Sequence, residues 1–180
     1  MAVSINGSGT IGGVSDFSSS NIALTDPEIT GGIYLGGTGS ANYLDDYETG
    51  AFTPTLRASL GGGDYSLTNE ALAYEKIGSL VHVSGRVSIA AKNGTCNGRL
   101  ILTLPFVVLA SSISKCPATI FANRSSLDTG ISLVATSENG SAELNIYRGD
   151  TVTASSANNN NGIFNGDEQI WVNLTYRTDS

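Results

Sequence analysis

The sequence predicts an all-β protein: a small antiparallel β-sandwich or jelly-roll head, preceded by an extended Gly/Ser-rich N-terminal arm. Three observations lead there. Only 14% of the 180 residues are charged, 22 are Gly, and strong helix formers are scarce. Short apolar runs of alternating character recur from Phe52 onward, with Asn-Gly turn signals between them. No apolar run approaches the 18 residues of a membrane-spanning helix. A 40% apolar fraction is too high for a wholly disordered chain, and the length suits one domain.

The arm stands apart by its charge. Residues 1–56 contain six acids (Asp16, Asp26, Glu28, Asp45, Asp46 and Glu48) and no base, whereas residues 57–180 hold all nine basic groups against ten acids. The arm therefore holds −6 of the net charge of −7, and the head is nearly neutral. Arm stretches such as Ser4-Ile5-Asn6-Gly7-Ser8-Gly9 bury too little surface to fold alone, so the arm is expected to order against a partner. Its apolar spots Ile5, Ile11, Val14, Phe17, Ile22 and Leu24 are the expected docking contacts. The division expected is 1–56 as acidic attachment and trimerisation arm and 57–180 as β-sandwich head.

In the head, Asn69 to Ile77 is the one helical candidate. Leu80 to Ile89 places Val81, Val83, Val87 and Ile89 on one parity, the alternation of a half-buried strand. Lys92 to Gly98 carries two Asn-Gly pairs and predicts a loop or hairpin turn. Leu100 to Leu104 is β-prone, with Pro105 ending it. Ala118–Ala122, Ile131–Ala135, Glu143–Tyr147 and Ile170–Tyr176 complete the strands, separated by turns at Ser137–Gly140 and Asn158–Gly162. Half-buried strands in so uncharged a chain imply that some sheet faces meet other subunits. Trp171, in the last strand, is read as core.

The residues that could carry chemistry are few and scattered. A net charge of −7 opposes binding to a phosphate backbone. The single histidine, His82, shares a strand face with Leu80 and Ser84, has no nucleophile elbow beside it, and reads as a structural or subunit-contact residue. Cys96 and Cys116 have neither metal spacing nor a C-x-x-C pattern and read as two small buried thiols. Gly36 to Ser40 lacks the Lys that closes a phosphate loop. Asp45-Asp46 with Glu48, and Asp167-Glu168, are the carboxylate clusters a glycoside hydrolase would draw on, but adjacent residues on a strand face opposite ways. No catalytic residue, metal or cofactor is expected. The first 20 residues show no secretory signal. Tyr34, Tyr43, Tyr47, Phe52, Tyr65 and Tyr74 gather in the first half, where interface packing is favoured over a sugar-stacking face.

The most distinctive stretch is Gly31 to Leu56, GGIYLGGTGSANYLDDYETGAFTPTL. It resembles a junction segment of tail-fibre and other virion surface proteins of tailed bacteriophages, in which a "YLGGTG…LDDYEEGT(W/F)TP" phrase separates an attachment region from a small β head. Here Thr49 replaces the second Glu, and Ala51-Phe52 replaces Thr-Trp. Tyr74 to Gly85 and Leu104-Pro105-Phe106 are similar to head segments of the same group, so the resemblance covers about two thirds of the chain. It implies a non-enzymatic virion structural protein, commonly trimeric, made in the host cytoplasm and placed at the virion surface. The first reading is a short tail fibre or receptor-binding head; the second is a trimeric capsid decoration or cement protein; a host-polysaccharide depolymerase is the remote third. Expected partners are two sister chains, other tail, baseplate or capsid proteins, and a host surface glycan or protein, with no nucleic acid and no membrane insertion. Tyr34, Leu35, Tyr43, Leu44, Tyr47 and Phe52 are the expected trimer junction. Asn93, Asn97, Asn159, Asn160 and Asn165 are the expected receptor-loop residues.

Overall fold

The computed structural model describes residues 32–35, 39, 43–44, 46–68, 71–111, 115–123, 133–148, 164, 166 and 168–179. It is all-β, with no helix among the described residues. Twelve strands follow in order: β1 (Ile33–Tyr34), β2 (Tyr43–Leu44), β3 (Tyr47–Phe52), β4 (Leu56–Leu60), β5 (Asp64–Thr68), β6 (Leu72–Ile77), β7 (Leu80–Asn93), β8 (Asn97–Thr103), β9 (Pro117–Asn123), β10 (Leu133–Ser137), β11 (Glu143–Arg148) and β12 (Gln169–Arg177). By its contacts the chain divides into Met1–Gly31 and Gly32–Ser180, and β3 and β4 belong to the second unit.

The main sheet runs β12-β9-β10-β11-β8-β4-β5-β7-β6-β3, with every strand pair antiparallel. β12 also pairs with β7 over nine residues, so eight of these strands close on themselves. Closure removes the unpaired edges that an open sheet would expose. The 14-residue β7 organises the branch: its first half pairs with β6, its second half with β5, and its other edge with β12. The β6–β3 pair therefore extends outward from the closed body, with β3 as its free edge.

Alternation decides which side chains fill the interior. Val81, Val83, Val87 and Ile89 of β7 are buried, as their parity predicts, and Ile170, Val172, Leu174 and Tyr176 of β12 face them from the next strand. Leu100 and Leu102 of β8 and Leu144 and Ile146 of β11 close the opposite wall. Pro105 follows the end of β8, where its missing N–H would break the ladder. Of the Lys92 to Gly98 interval only Gly94–Cys96 lie outside strands, and they form a loop and not a hairpin turn, since β7 and β8 do not pair. Beside it, Gly61 (φ +88°) turns β4 into β5 so tightly that a Cβ there would lie 2.4 Å from the Thr95 carbonyl oxygen.

The helix expected over Asn69 to Ile77 does not form. Leu72–Ile77 is β6, hydrogen-bonded to β7 on one side and β3 on the other, and Asn69 and Glu70 lie outside the described residues. The helix-forming residues Ala71, Leu72, Ala73, Glu75 and Lys76 are overridden by two flanking strands, which offer the backbone partners and bury Leu72 and Lys76 on one face. Trp171 is also corrected: it lies on the outer face of β12, because the interior parity belongs to Ile170 and Val172.

Tyr176 ties the last strand to the Pro105 loop. Its hydroxyl donates to the Phe106 carbonyl (3.1 Å) and accepts from the Phe106 N–H (3.2 Å). Burial pushes its phenol up to about 12, against a lowering by the Phe106 hydrogen bond. A raised folded-state pKa means that the unfolded chain ionises first. Stability is then intact below pH 10 and falls by about 3 kcal/mol as pH rises from 10 to 12. Alkaline unfolding followed by circular dichroism is expected to begin near pH 10, and Tyr176→Phe to shift that onset upward while weakening the fold at pH 7. An unchanged onset in Tyr176→Phe would assign the alkaline limit to another group, such as Tyr65, whose phenol burial also raises.

Candidate functional site

The junction segment divides into two parts with opposite fates. β1 and β2 form a separate two-stranded sheet in which Tyr34 pairs with Tyr43, their ring centroids 4.9 Å apart, and the Gly32 N–H donates to the Tyr43 hydroxyl at 2.9 Å. Its apolar side chains face outward: Tyr34 is 54% exposed and Leu35 57%, with Ile33 and Tyr43 also exposed. A two-stranded sheet with no apolar face covered is marginal alone, and these residues are the surface a partner would cover.

The second part, Asp46 to Phe52, is locked onto the head. Lys76 of β6 is buried and pairs with the Asp46 carboxylate, and its ammonium lies 5.8 Å from the centre of the Phe106 ring. The Asp46 carbonyl accepts the Gly78 N–H at 2.7 Å. Tyr74 lies over Gly50, where a Cβ would come within 2.8 Å of its hydroxyl, and its ring meets Phe106 edge-on at 5.2 Å and Phe52 at 6.5 Å. The Tyr74 phenol is held above its ordinary pKa, first by its hydrogen bond to Glu48. Phe52 is thus half-buried packing, whereas Tyr47, two-thirds exposed, starts an outward apolar row with Ile77 and Leu80. Leu44 is half-buried in β2.

The outer face of β6, β7, β12 and β9 carries the remaining candidates. His82 sits in the row Glu75–His82–Thr175, its Nδ1 3.0 Å from Thr175 Oγ1. Next to it runs Ser84–Asn173–Thr119, and then Arg86–Trp171–Phe121. The Trp171 and Phe121 rings are tilted at 54° with centroids 5.3 Å apart, and the Arg86 guanidinium lies 5.9 Å from the Trp171 ring centre. Arg86 and Phe121 escape a sequence reading that looks for hydrophobic strands. Parity does reveal them: Arg86 shares a face with His82 and Ser84, and Phe121 with Thr119.

The expected receptor loops are less free than their composition suggests. Asn93 Nδ2 donates to Asp64 Oδ1 (2.8 Å) and Ser66 Oγ (2.9 Å), and Asn97 is half-buried. Asn159, Asn160 and Asn165, and the arm residues Ile5, Ile11, Val14, Phe17, Ile22 and Leu24, lie outside the described residues. Cys96 is a buried free thiol and Cys116 a half-buried one.

A cleft of about 450 Å³ opens where β4 and β5 splay apart, lined by Thr53–Arg57 and Asp64–Leu67. Its charged groups are engaged elsewhere, Arg57 with Glu143 at 2.7 Å and Asp64 with Asn93. Among the described residues no cluster of three His, Cys, Asp or Glu side chains is placed to hold a metal ion. No helix of the described residues is long and apolar enough to cross a membrane.

No protein-family model and no curated protein sequence matches the chain. Among solved structures, the fold is similar to that of the Dettilon tailspike protein, with a TM-score of 0.56 and 16% sequence identity over 73% of this chain. The chain spans about a quarter (24%) of that tailspike's length. At this identity the likeness is one of fold.

Proposed function

We propose that the chain is a structural protein of a bacteriophage virion, a short tail fibre or receptor-binding head that assembles as a homotrimer and docks on another virion protein through its N-terminal arm. The observation that carries this reading is the split junction: Asp46 to Phe52 is anchored to the head, while Ile33, Tyr34, Leu35 and Tyr43 leave an apolar surface uncovered. The fold likeness to a tailspike supports a tail setting. The junction phrase, with its resemblance to virion surface proteins, supports the same assignment.

The mechanism is mechanical. The arm holds the protein on the particle, the exposed hairpin packs against sister chains, and the rigid β body presents its surface outward. Acidic arms repel one another, so three of them diverge onto a less acidic surface or pair with its bases. No reaction is required. Asp46, a carboxylate a depolymerase would need, is spent on the buried Lys76.

Light scattering tests the assembly. A trimer of the 18.5 kDa chain is expected, and Tyr34→Ser with Leu35→Ser is expected to shift the mass toward the monomer. A stable wild-type monomer at micromolar concentration defeats the trimer. Copy number on the particle tests the location: a few tens or fewer support the tail, whereas hundreds move the protein to the capsid.

A further inference from the structure

We infer that the row Arg86–Trp171–Phe121 on the outer face of β7, β12 and β9 is a binding site for an anionic saccharide. The inference deepens the receptor-binding reading and rests on it only for its biological setting.

The row departs from the rest of that face. Flanking rows on both sides are hydroxyls and amides: Ser84, Asn173 and Thr119 on one, Ser88, Gln169 and Asn123 on the other. Between them stand two aromatic rings, with Phe121 62% exposed on a strand whose other face (Ala118, Ile120 and Ala122) is half-buried against the interior. A surface that only had to be soluble would place Thr or Ser there. The two rings, in contact at 5.3 Å and tilted at 54°, offer outward apolar surface on which the C–H face of a pyranose unit can stack. The hydroxyl and amide rows stand where the sugar's own hydroxyls would need partners.

Charge narrows the class. Arg57, Lys76 and Lys115 are each paired with a carboxylate, whereas Arg86, like Lys92, Arg99 and Arg177, has no described carboxylate within ion-pair distance, and of these Arg86 is the one that stands beside the two rings. The Arg86 side chain is steadied by Gln169, with Nη1 3.5 Å from Gln169 Oε1, and by the Trp171 ring. A guanidinium held beside two rings suits a sugar carboxylate, which it can meet with two parallel N–H donors. A single Arg beside two rings, on a chain of net charge −7, does not suit a nucleic acid. A protein partner would need about 800 Å² of surface on this side, far more than two rings supply as an apolar centre.

Trp171 is the only tryptophan in the chain, so emission excited at the red edge, where the seven tyrosines do not absorb, reports on this row alone. The full-length protein is titrated with oligogalacturonate, sialyllactose and neutral maltohexaose. A saturable change in Trp171 emission with at least one acidic probe, at least tenfold weaker with maltohexaose, is the expected result. Phe121→Ala, at an exposed position, is expected to weaken that binding at least tenfold, and Arg86→Gln to abolish the preference for the acidic probe. Absence of a saturable response to either acidic sugar overturns the site, as does full binding by Phe121→Ala. An equal response to maltohexaose overturns the anionic assignment. A concentration-dependent blue shift of the sugar-free protein overturns it in favour of contact with a second copy. Binding is read on the purified chain and location on the particle, so this inference and the virion reading fail separately.

Discussion

Asp46→Ala is expected to destabilise the head by about 3 kcal/mol, the lower end for breaking a buried ion pair, because the substitution strands the Lys76 ammonium. The Lys76 side chain is 8% exposed, so water cannot replace the lost partner. The reverse change differs. Asp46 is 35% exposed and can hydrate when its partner is removed, while Met at position 76 retains the packing of the Lys stem beneath Phe106. Lys76→Met is therefore expected to cost about 1 kcal/mol or less. Urea denaturation of the two variants measures the asymmetry directly. Equal losses, or losses under about 0.5 kcal/mol in both, would mean that the pair does not hold the junction on the head. The result also bears on the proposed function, which relies on β3 being anchored to the body.

The second large effect tests closure of the sheet. Asn173→Pro is expected to lower stability by about 3 kcal/mol or more, a large part of the roughly 5–15 kcal/mol that holds a domain folded. The Asn173 side chain is exposed, so nothing is lost from the interior. Its backbone pairs with Ser84 of β7 on one side and Thr119 of β9 on the other. A proline there removes a ladder donor, leaves an acceptor unpaired and crowds the neighbouring strand. Asn173→Ser is the control and is expected to stay within about 0.5 kcal/mol of wild type. If Asn173→Pro unfolds at the same urea concentration as Asn173→Ser, β12 is an edge and the body is open.

Much of the fold was legible because strand alternation is a local property. The buried parity of β7 follows from Val81, Val83, Val87 and Ile89, and the end of β8 follows from Pro105. The turn at Ser137–Gly140 lies between β10 and β11 as its composition predicts. Two residues were misread for one reason. Lys76 falls within the helical candidate Asn69 to Ile77 and Trp171 reads as core when residue type is weighed above position. In β6 the inward parity falls on a lysine, which is buried with its counter-ion; in β12 the outward parity falls on a tryptophan. The receptor loops were chosen from turn composition, which says nothing about whether an amide such as that of Asn93 already has partners.

The sequence alone determined the all-β class, the buried parity of β7 and the placing of −6 of the net charge of −7 in residues 1–56. These depend on residues close together in the chain, where side-chain period and charge are read directly. Only the tertiary structure decided that β12 closes on β7, that Asp46 meets Lys76, and that Arg86, Trp171 and Phe121 share one row. Backbone hydrogen bonds are nearly blind to residue identity, so any strand can pair with any other. Which neighbours and which register win depends on the burial summed over the whole closed sheet, a quantity no local stretch of sequence contains.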